Sequence, residues 1–214
     1  MRSAIRFAVA AAFVAIVPVR AHAQSAPSPF DSLHFRSIGP AATGGRIHDL
    51  QIDPRNPAIL YVGAATGGIW KSTNNGVTWT DIFGDQPDNT FGSLAIFEGN
   101  SNIIWAGTGE NNNRQSSSWG GGVYRSVDAG AHWTYLGLHD TRSIGRVVLH
   151  PRDPNVAYIA AVGNLWRGNA ERGVYKTTDA GKTWAKVLYV DTLTGATDLV
   201  MDPRDPNVLY AATY

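Results

Sequence analysis

The sequence predicts an all-β chain made of repeated four-stranded antiparallel units, and three observations carry that expectation. A hairpin-like segment occurs three times, as Gly68–Trp79, Gly122–Trp133 and Gly173–Trp184. Its turn glycines, Gly76, Gly130 and Gly181, stand 54 and 51 residues apart; self-similarity at such a period marks a repeat architecture. A second, proline-paired motif interleaves with the first. The 214 residues also hold 23 glycines, seven tryptophans and eight tyrosines in short β-rich runs, with no convincing amphipathic helix after the amino-terminal segment.

Each copy of the first motif reads as strand, tight turn, strand. An aromatic with a basic neighbour ends the first strand: Trp70-Lys71, Tyr124-Arg125 and Tyr175-Lys176. A hydroxyl residue, then Asn or Asp, then Gly makes the turn: Ser72, Asn74, Gly76; Ser126, Asp128, Gly130; Thr177, Asp179, Gly181. Asn and Asp bond the backbone ahead of them and Gly adopts positive φ. Trp79, Trp133 and Trp184 open the next strand, where a large ring covers the turn. The role expected of these residues is structural, each Asp capping its own turn.

The second motif is Asp53-Pro54-Arg55-Asn56-Pro57 through Tyr61, repeated from His150 to Tyr158 and from Asp202 to Tyr210, with a degenerate copy from Glu98 to Trp105. Paired prolines do not sit in central strands, so each copy reads as a loop followed by a strand ending in a buried aromatic. Every unit then becomes strand A, proline loop, strand B, variable loop, strand C, tight turn, strand D. Strand A is expected at 46–52, 92–97, 145–149 and 198–201. Four antiparallel strands per unit is the blade of a β-propeller. Blades are expected at about 36–83, 84–138 and 139–190, with an incomplete blade at 191–214. Propellers close with about 4–8 blades. The expectation is therefore an N-terminal part of a longer polypeptide that supplies the remaining blades, the alternative being several copies in one ring.

Residues 1–23 read as a cleaved secretory signal: Arg2 and Arg6 are followed by an apolar run over Phe7–Val19 and by Ala21-His22-Ala23. The apolar run is short for a membrane span, and the mature chain is expected to have none. Arg2 and Arg6 are not adjacent, which argues against twin-arginine export. Residues 24–35 read as a mobile leader. The implied location is periplasmic or extracellular. The absence of cysteine excludes a lipoprotein anchor, disulfides and thiolate metal sites. Cleavage removes three arginines, leaving 15 basic against 17 acidic residues, a net charge of about −2. No basic stripe or charge block points to nucleic acid or a membrane surface. No Ser-His-Asp order, Walker loop or metal-spaced His cluster appears, and no cofactor or metal is expected.

In such blades the proline loops and tight turns share one face, and the B–C and D–A loops share the other. The B–C loops differ in length: 64–67 in the first blade, 108–121 in the second, 162–172 in the third. Uneven loops on a rigid scaffold are where binding residues sit. Trp119 and Trp166 have no counterpart among the repeated positions; with Asn112, Arg114 and Arg167 they suit stacking on a sugar or holding a peptide, or else they cover their own loops. Arg46, His48, Arg146 and Asp198 open the A strands toward the channel, able to bind an anionic group or to form interblade ion pairs. The partner expected is a protein, peptide or carbohydrate.

The turn pattern Ser/Thr-x-Asp-x-Gly-x-x-Trp resembles the Asp-box, or bacterial neuraminidase repeat; the second and third copies match it fully, and the first has Asn74. With Phe35-Arg36-Ser37-Ile38-Gly39-Pro40, Gly44-Gly45-Arg46-Ile47 and Gly67-Gly68-Ile69-Trp70-Lys71-Ser72, residues 35–214 resemble secreted bacterial proteins of the sortilin/Vps10 N-terminal type, often labelled glycosyl-hydrolase-like. The resemblance implies a multi-bladed propeller. Similar blades occur in sialidases, xyloglucan-cleaving glycoside hydrolases and a photosystem II assembly factor. The Tyr/Phe-Arg-Ile-Pro element of sialidases is only loosely echoed at 35–40. Xyloglucan-cleaving propellers carry Asp-Ile-Gly-Gly before strand C of the first blade, that Asp being a catalytic carboxylate; here Ala65-Thr66-Gly67-Gly68 stands instead. Glu110 is the carboxylate on offer as a replacement, with no partner identifiable. The sequence thus favours an exported binding scaffold for protein, peptide or glycan, against the alternative of the N-terminal part of a secreted glycoside hydrolase.

Overall fold

The computed structural model describes residues 46–214; the expected signal, leader and start of the first blade lie outside the described residues. Fourteen strands are present: β1 (Ile47–Ile52), β2 (Leu60–Ala64), β3 (Ile69–Ser72), β4 (Thr80–Asp81), β5 (Phe91–Ile96), β6 (Ile104–Thr108), β7 (Val123–Ser126), β8 (Thr134–Tyr135), β9 (Ile144–Leu149), β10 (Ala157–Ala161), β11 (Gly173–Thr177), β12 (Ala185–Leu188), β13 (Ala196–Met201) and β14 (Leu209–Thr213). They pair consecutively and antiparallel into three four-stranded sheets, β1–β4, β5–β8 and β9–β12, and one two-stranded sheet, β13–β14. Each four-stranded sheet is a blade with strands A to D in chain order.

The two sequence motifs turn out to be cross-strand partners. Tyr61 lies opposite Lys71, Trp105 opposite Arg125, and Tyr158 opposite Lys176. In each pair the cation stands over the ring, 5.3, 5.5 and 5.3 Å from its centroid. The aromatic is the second residue of strand B in all three blades, not its end as expected from the motif. Placing it there gives it a facing residue on strand C, which a strand-end position would lack.

The tight turns repeat one set of hydrogen bonds. Asp128 Oδ1 accepts from the His132 N–H at 2.9 Å and from Ser126 Oγ at 2.8 Å; Asp179 Oδ1 accepts from the Thr183 N–H and Thr177 Oγ1 at the same distances. Asn74 Oδ1 takes the Thr78 N–H at 2.9 Å in the first blade. Each turn carries one residue with positive φ before its glycine: Asn75 (59°), Ala129 (58°) and Ala180 (62°). Their N–H groups reach the proline loops at Ala58 O, Asn102 O and Asn155 O, 3.0, 2.9 and 2.9 Å away. Tight turns and proline loops therefore share a face. On the opposite face the B–C loops bond the D–A segments: Gly67 N to Asn89 O (2.8 Å), Gly120 N to Arg142 O (2.8 Å) and Asn169 N to Thr192 O (2.9 Å).

The apolar core lies between successive sheets. In β6, Ile104 and Ala106 face the first blade in a cluster with Tyr61, Ile69, Phe83, Phe91 and Leu94, whereas Trp105 faces the third with Ile144, Val147, Ile159 and Tyr175. Every β6 residue is buried, the signature of a strand covered on both faces. The turn tryptophans do more than cover their turns. The Trp133 indole donates to Ile82 O of the preceding blade at 2.7 Å, and Trp184 to Leu136 O at 2.8 Å. Trp79, in the first blade, donates back to Gly76 O.

Each A strand carries a bulge near its start, at His48, Gly92, Gly145 and Thr197. The bulge places strand starts one or two residues before the expected Gly92, Gly145 and Asp198. A Cβ on Gly92 would stand 1.9 Å from Ile144 O, and one on Gly145 2.2 Å from Thr197 O, so glycine sets how closely neighbouring blades approach.

Two outcomes test these contacts. Trp133→Phe keeps most of the ring but loses the bond to Ile82 O, and is expected to lower stability by about 1 kcal/mol in urea unfolding. Backbone and side-chain hydrogen bonds from the following residues lower both turn carboxyls, Asp128 and Asp179, from the ordinary 3.8 to about 2. Their folded values lie below their unfolded ones, so the stabilisation is complete above about pH 4 and is lost as pH falls toward about 2. An Asp128→Asn/Asp179→Asn variant, which copies Asn74, should melt below the parent at pH 7, with the gap closing over that acid window.

Candidate functional site

The face formed by B–C and D–A loops holds the side chains that the repeats do not specify. Its second-blade loop, 108–121, is pinned from within. Glu110 is fully buried; its Oε1 accepts from Arg46 Nε at 2.9 Å and also from Arg46 Nη2, and its Oε2 from the Ser118 N–H at 3.3 Å. Glu110 was a candidate catalytic carboxylate. The structure instead closes it off from solvent and commits both oxygens, so it ties the loop to the start of β1. Arg46 is correspondingly an interblade partner rather than an unpaired ligand group.

Arg146 and Asp198 form the other interblade pair, Nε to Oδ1 at 2.7 Å, both side chains partly exposed. The bond holds the Asp198 carboxyl below its ordinary value and the Arg146 guanidinium above its own. By strand register, Asp49, Ser93, Arg146 and Asp198 occupy one position on successive A strands. Asp49 Oδ2 accepts from Leu94 N (2.7 Å) and Ser93 Oγ from Val147 N (3.1 Å), each reaching the next blade. Asp198 accepts from its own Leu199 N–H at 2.8 Å. Asp49, Ser93 and Asp198 thus each accept from a backbone N–H of an A strand. His48 sits in the first bulge, and neither ring nitrogen, both buried, has a partner among the described residues.

Trp119 and Trp166 are about half exposed, at 46% and 52%. Trp119 is fixed by Thr90 Oγ1, which donates to its carbonyl at 2.9 Å, and its ring lies 5.3 Å from the Arg142 guanidinium. Trp166 is fixed by its N–H, which donates to Asn164 Oδ1 at 2.9 Å. Asn112, Arg114 and Arg167 are exposed. The carbonyls of Asn112 and Arg114 brace their loop through Ser117, and that of Arg167 accepts from Arg172 at 3.3 Å. The two tryptophan loops meet at the short 3-10 turn His139–Thr141. There Arg142 Nη2 pairs with Asp140 Oδ1 at 3.2 Å, and Asn169 Nδ2 donates to Asp140 O at 2.9 Å.

Several contacts that shape this face carry no sequence signal. Arg172, buried, donates to Val162 O at 2.7 Å and to Asn164 O, holding the third-blade loop shut. Tyr124 donates to Asp88 Oδ2 and Tyr175 to Glu171 Oε2, both at 2.6 Å. Burial, then the adjacent carboxylate, pushes both phenols up. Among the described residues no group of three or more His, Cys, Asp and Glu side chains is placed to hold a metal, and no helix is long and apolar enough to cross a membrane.

No family model matches the chain. At the sequence level it is similar to the xyloglucanase of Paenibacillus sp, 26% identical over 193 residues that cover 77% of this chain and 18% of that protein. It is likewise similar to the xyloglucanase of Hypocrea jecorina strain QM6a, 26% identical over 232 aligned positions covering 91% of this chain and 26% of the relative. Among solved structures it resembles an ancestral GH74 enzyme (TM-score 0.63, 23% identity, 78% of this chain and 22% of that one). The GH74 enzyme of Niastella koreensis gives a TM-score of 0.58 at 24% identity, over 78% of this chain and 26% of the other. The chain spans about a fifth to a quarter of the length of these relatives. The shared structure is the propeller fold: these residues are Asp-box-like blades related to those of xyloglucanases and match part of such a propeller.

The Glu110 latch gives a direct test. Glu110→Gln leaves Arg46 without its counter-charge and is expected to cost up to about 3 kcal/mol, the low end for a broken buried pair because Arg46 keeps some solvent. Thermal melting and tryptophan emission would show the loss of stability and the loosening of the Trp119 loop together.

Proposed function

We propose that these blades are the N-terminal part of an exported glycoside-hydrolase-type propeller, and that the B–C/D–A face binds a xyloglucan-like polysaccharide. The observation that carries this reading is the pair of half-exposed tryptophans, Trp119 and Trp166, on braced loops of one face. Flat apolar rings edged by Asn and Arg suit a pyranose, which has an apolar face and a hydroxyl rim. Similarity to two xyloglucanases supports the choice of glycan.

Within this segment the reading is recognition rather than bond cleavage. At the position where the resembling propellers carry a catalytic Asp, the residue is Ala65, and it is fully buried. Glu110 is sequestered by Arg46. Carboxylates for a two-carboxylate mechanism would have to come from elsewhere in a longer protein. The same substitution favours a second reading, a non-catalytic scaffold for a peptide or protein. Export, which rests on residues outside the described ones, and the sortilin-type resemblance belong to this proposal too.

The test is titration of the intact protein with xyloglucan oligosaccharides, combined with a reducing-end assay. Trp119→Ala and Trp166→Ala should each weaken binding by about ten-fold, as expected of exposed aromatic anchors. Binding without release of reducing ends supports a recognition segment, and release of reducing ends identifies an enzyme. No binding to xyloglucan, with capture of a peptide instead, would sink the glycan reading.

A further inference from the structure

Arg142 has a positive φ, unlike Asn89 and Thr192, whose carbonyls accept the corresponding bonds from the other B–C loops. Its φ is 61° and its ψ −48°, outside the left-handed helical region that Leu138, four residues before it, occupies with φ 61° and ψ 33°. Ser143 N–H donates to Thr141 O at 2.6 Å, so Arg142 is the middle residue of a three-residue turn with positive φ, a rare and strained form. The strain is held from two sides: the Arg142 carbonyl accepts from Gly120 N at 2.8 Å, and Thr141 Oγ1 donates to Leu138 O at 2.7 Å. Glycine would relieve it at once, yet an arginine stands there.

That backbone turns the guanidinium onto the Trp119 ring, 5.3 Å from its centroid, with one nitrogen toward Asp140. Trp119 remains 46% exposed, so Arg142 covers only part of the indole. Asn169 holds the same turn from the third-blade loop. Strain of this kind persists where the surroundings over-determine it, and it gathers at ligand clamps.

We propose that Trp119 and Arg142 form one saccharide subsite, the indole stacking on a neutral pyranose while the guanidinium donates to its hydroxyls. The strained backbone, held by the Gly120 N–H and by Thr141, is what presents the guanidinium for that contact. This rests on the glycan reading above and adds the residue that shapes the subsite. A guanidinium presents several N–H donors in a fixed plane, and Asp140 engages it at only one recorded bond, which leaves donors for a ligand.

The experiment uses the intact protein, with Arg142→Gly and Arg142→Asn, both tolerant of positive φ, titrated against a xyloglucan oligosaccharide and melted in parallel. The expected result separates the two readouts: a melting temperature equal to or above the parent's, and affinity lowered by about ten-fold. Retained affinity in a folded variant overturns the Arg142 subsite and leaves the glycan reading standing. A fall in melting temperature in both variants, with affinity kept by the folded fraction, shows a purely structural arginine and overturns it as well. If the parent protein itself does not bind the oligosaccharide, the glycan reading and this subsite fall together.

Discussion

A four-stranded sheet of this width has two apolar faces and no helix to cover either, so each blade is buried only by the blades beside it. Leu94, Val147 and Leu199 occupy one register position on successive A strands and are nearly inaccessible, between 2% and 4% exposed. Leu50 holds that position in the first blade and is 54% exposed. Tyr210 shows the same contrast in the two-stranded sheet, at 64% against 7% or less for Tyr61, Trp105 and Tyr158. Stability in such an array is a sum of blade terms and interface terms, and the interface terms dominate.

Interfaces between flat sheets slide unless something fixes their register, and polar contacts do that here. The Trp133 and Trp184 indoles bond backwards to the preceding blade, while Asp49 and Ser93 reach forwards to backbone donors of the next. Glycines at Gly92 and Gly145 let the backbones come close enough for these bonds. Each contact is worth little alone. Together they set one spacing between blades, and the loops on the far face inherit it. The separation of the Trp119 and Trp166 loops is therefore a property of the blade interfaces as much as of the loops.

The fold was legible because its determinants are local and repeated: a hydroxyl, an Asp and a Gly at fixed spacing imply a turn wherever they occur, and two motifs in alternation imply the strands between them. The pairing of those motifs across strands B and C was not legible, since nothing in either motif names its partner; Lys71 over Tyr61 is visible only once the register is known. The candidate site was half legible. Trp119 and Trp166 stood out because they broke the repeat. Glu110 stood out as an unassigned carboxylate, and its partner could not be named because Arg46 is 64 residues away in sequence. Arg142 gave no signal at all, for a positive φ at an arginine is imposed by contacts from two other segments and not by its own chemistry.

The two faces of the blades differ in how their hydrogen bonds are met. On the tight-turn face the side chains of Ser72, Asp128 and Asp179 are consumed in capping the backbone, so the polar groups there face inward to their own turns. On the opposite face the loops are tied main chain to main chain at Gly67–Asn89, Gly120–Arg142 and Asn169–Thr192, and by a few buried side chains such as Glu110 and Arg172. Backbone ties leave side chains unspent. The side chains of Trp119, Trp166, Arg114 and Arg167 are exposed on these loops. A face built in this way can change its side chains without unfolding the blade beneath, which is the physical condition for recognition to sit there.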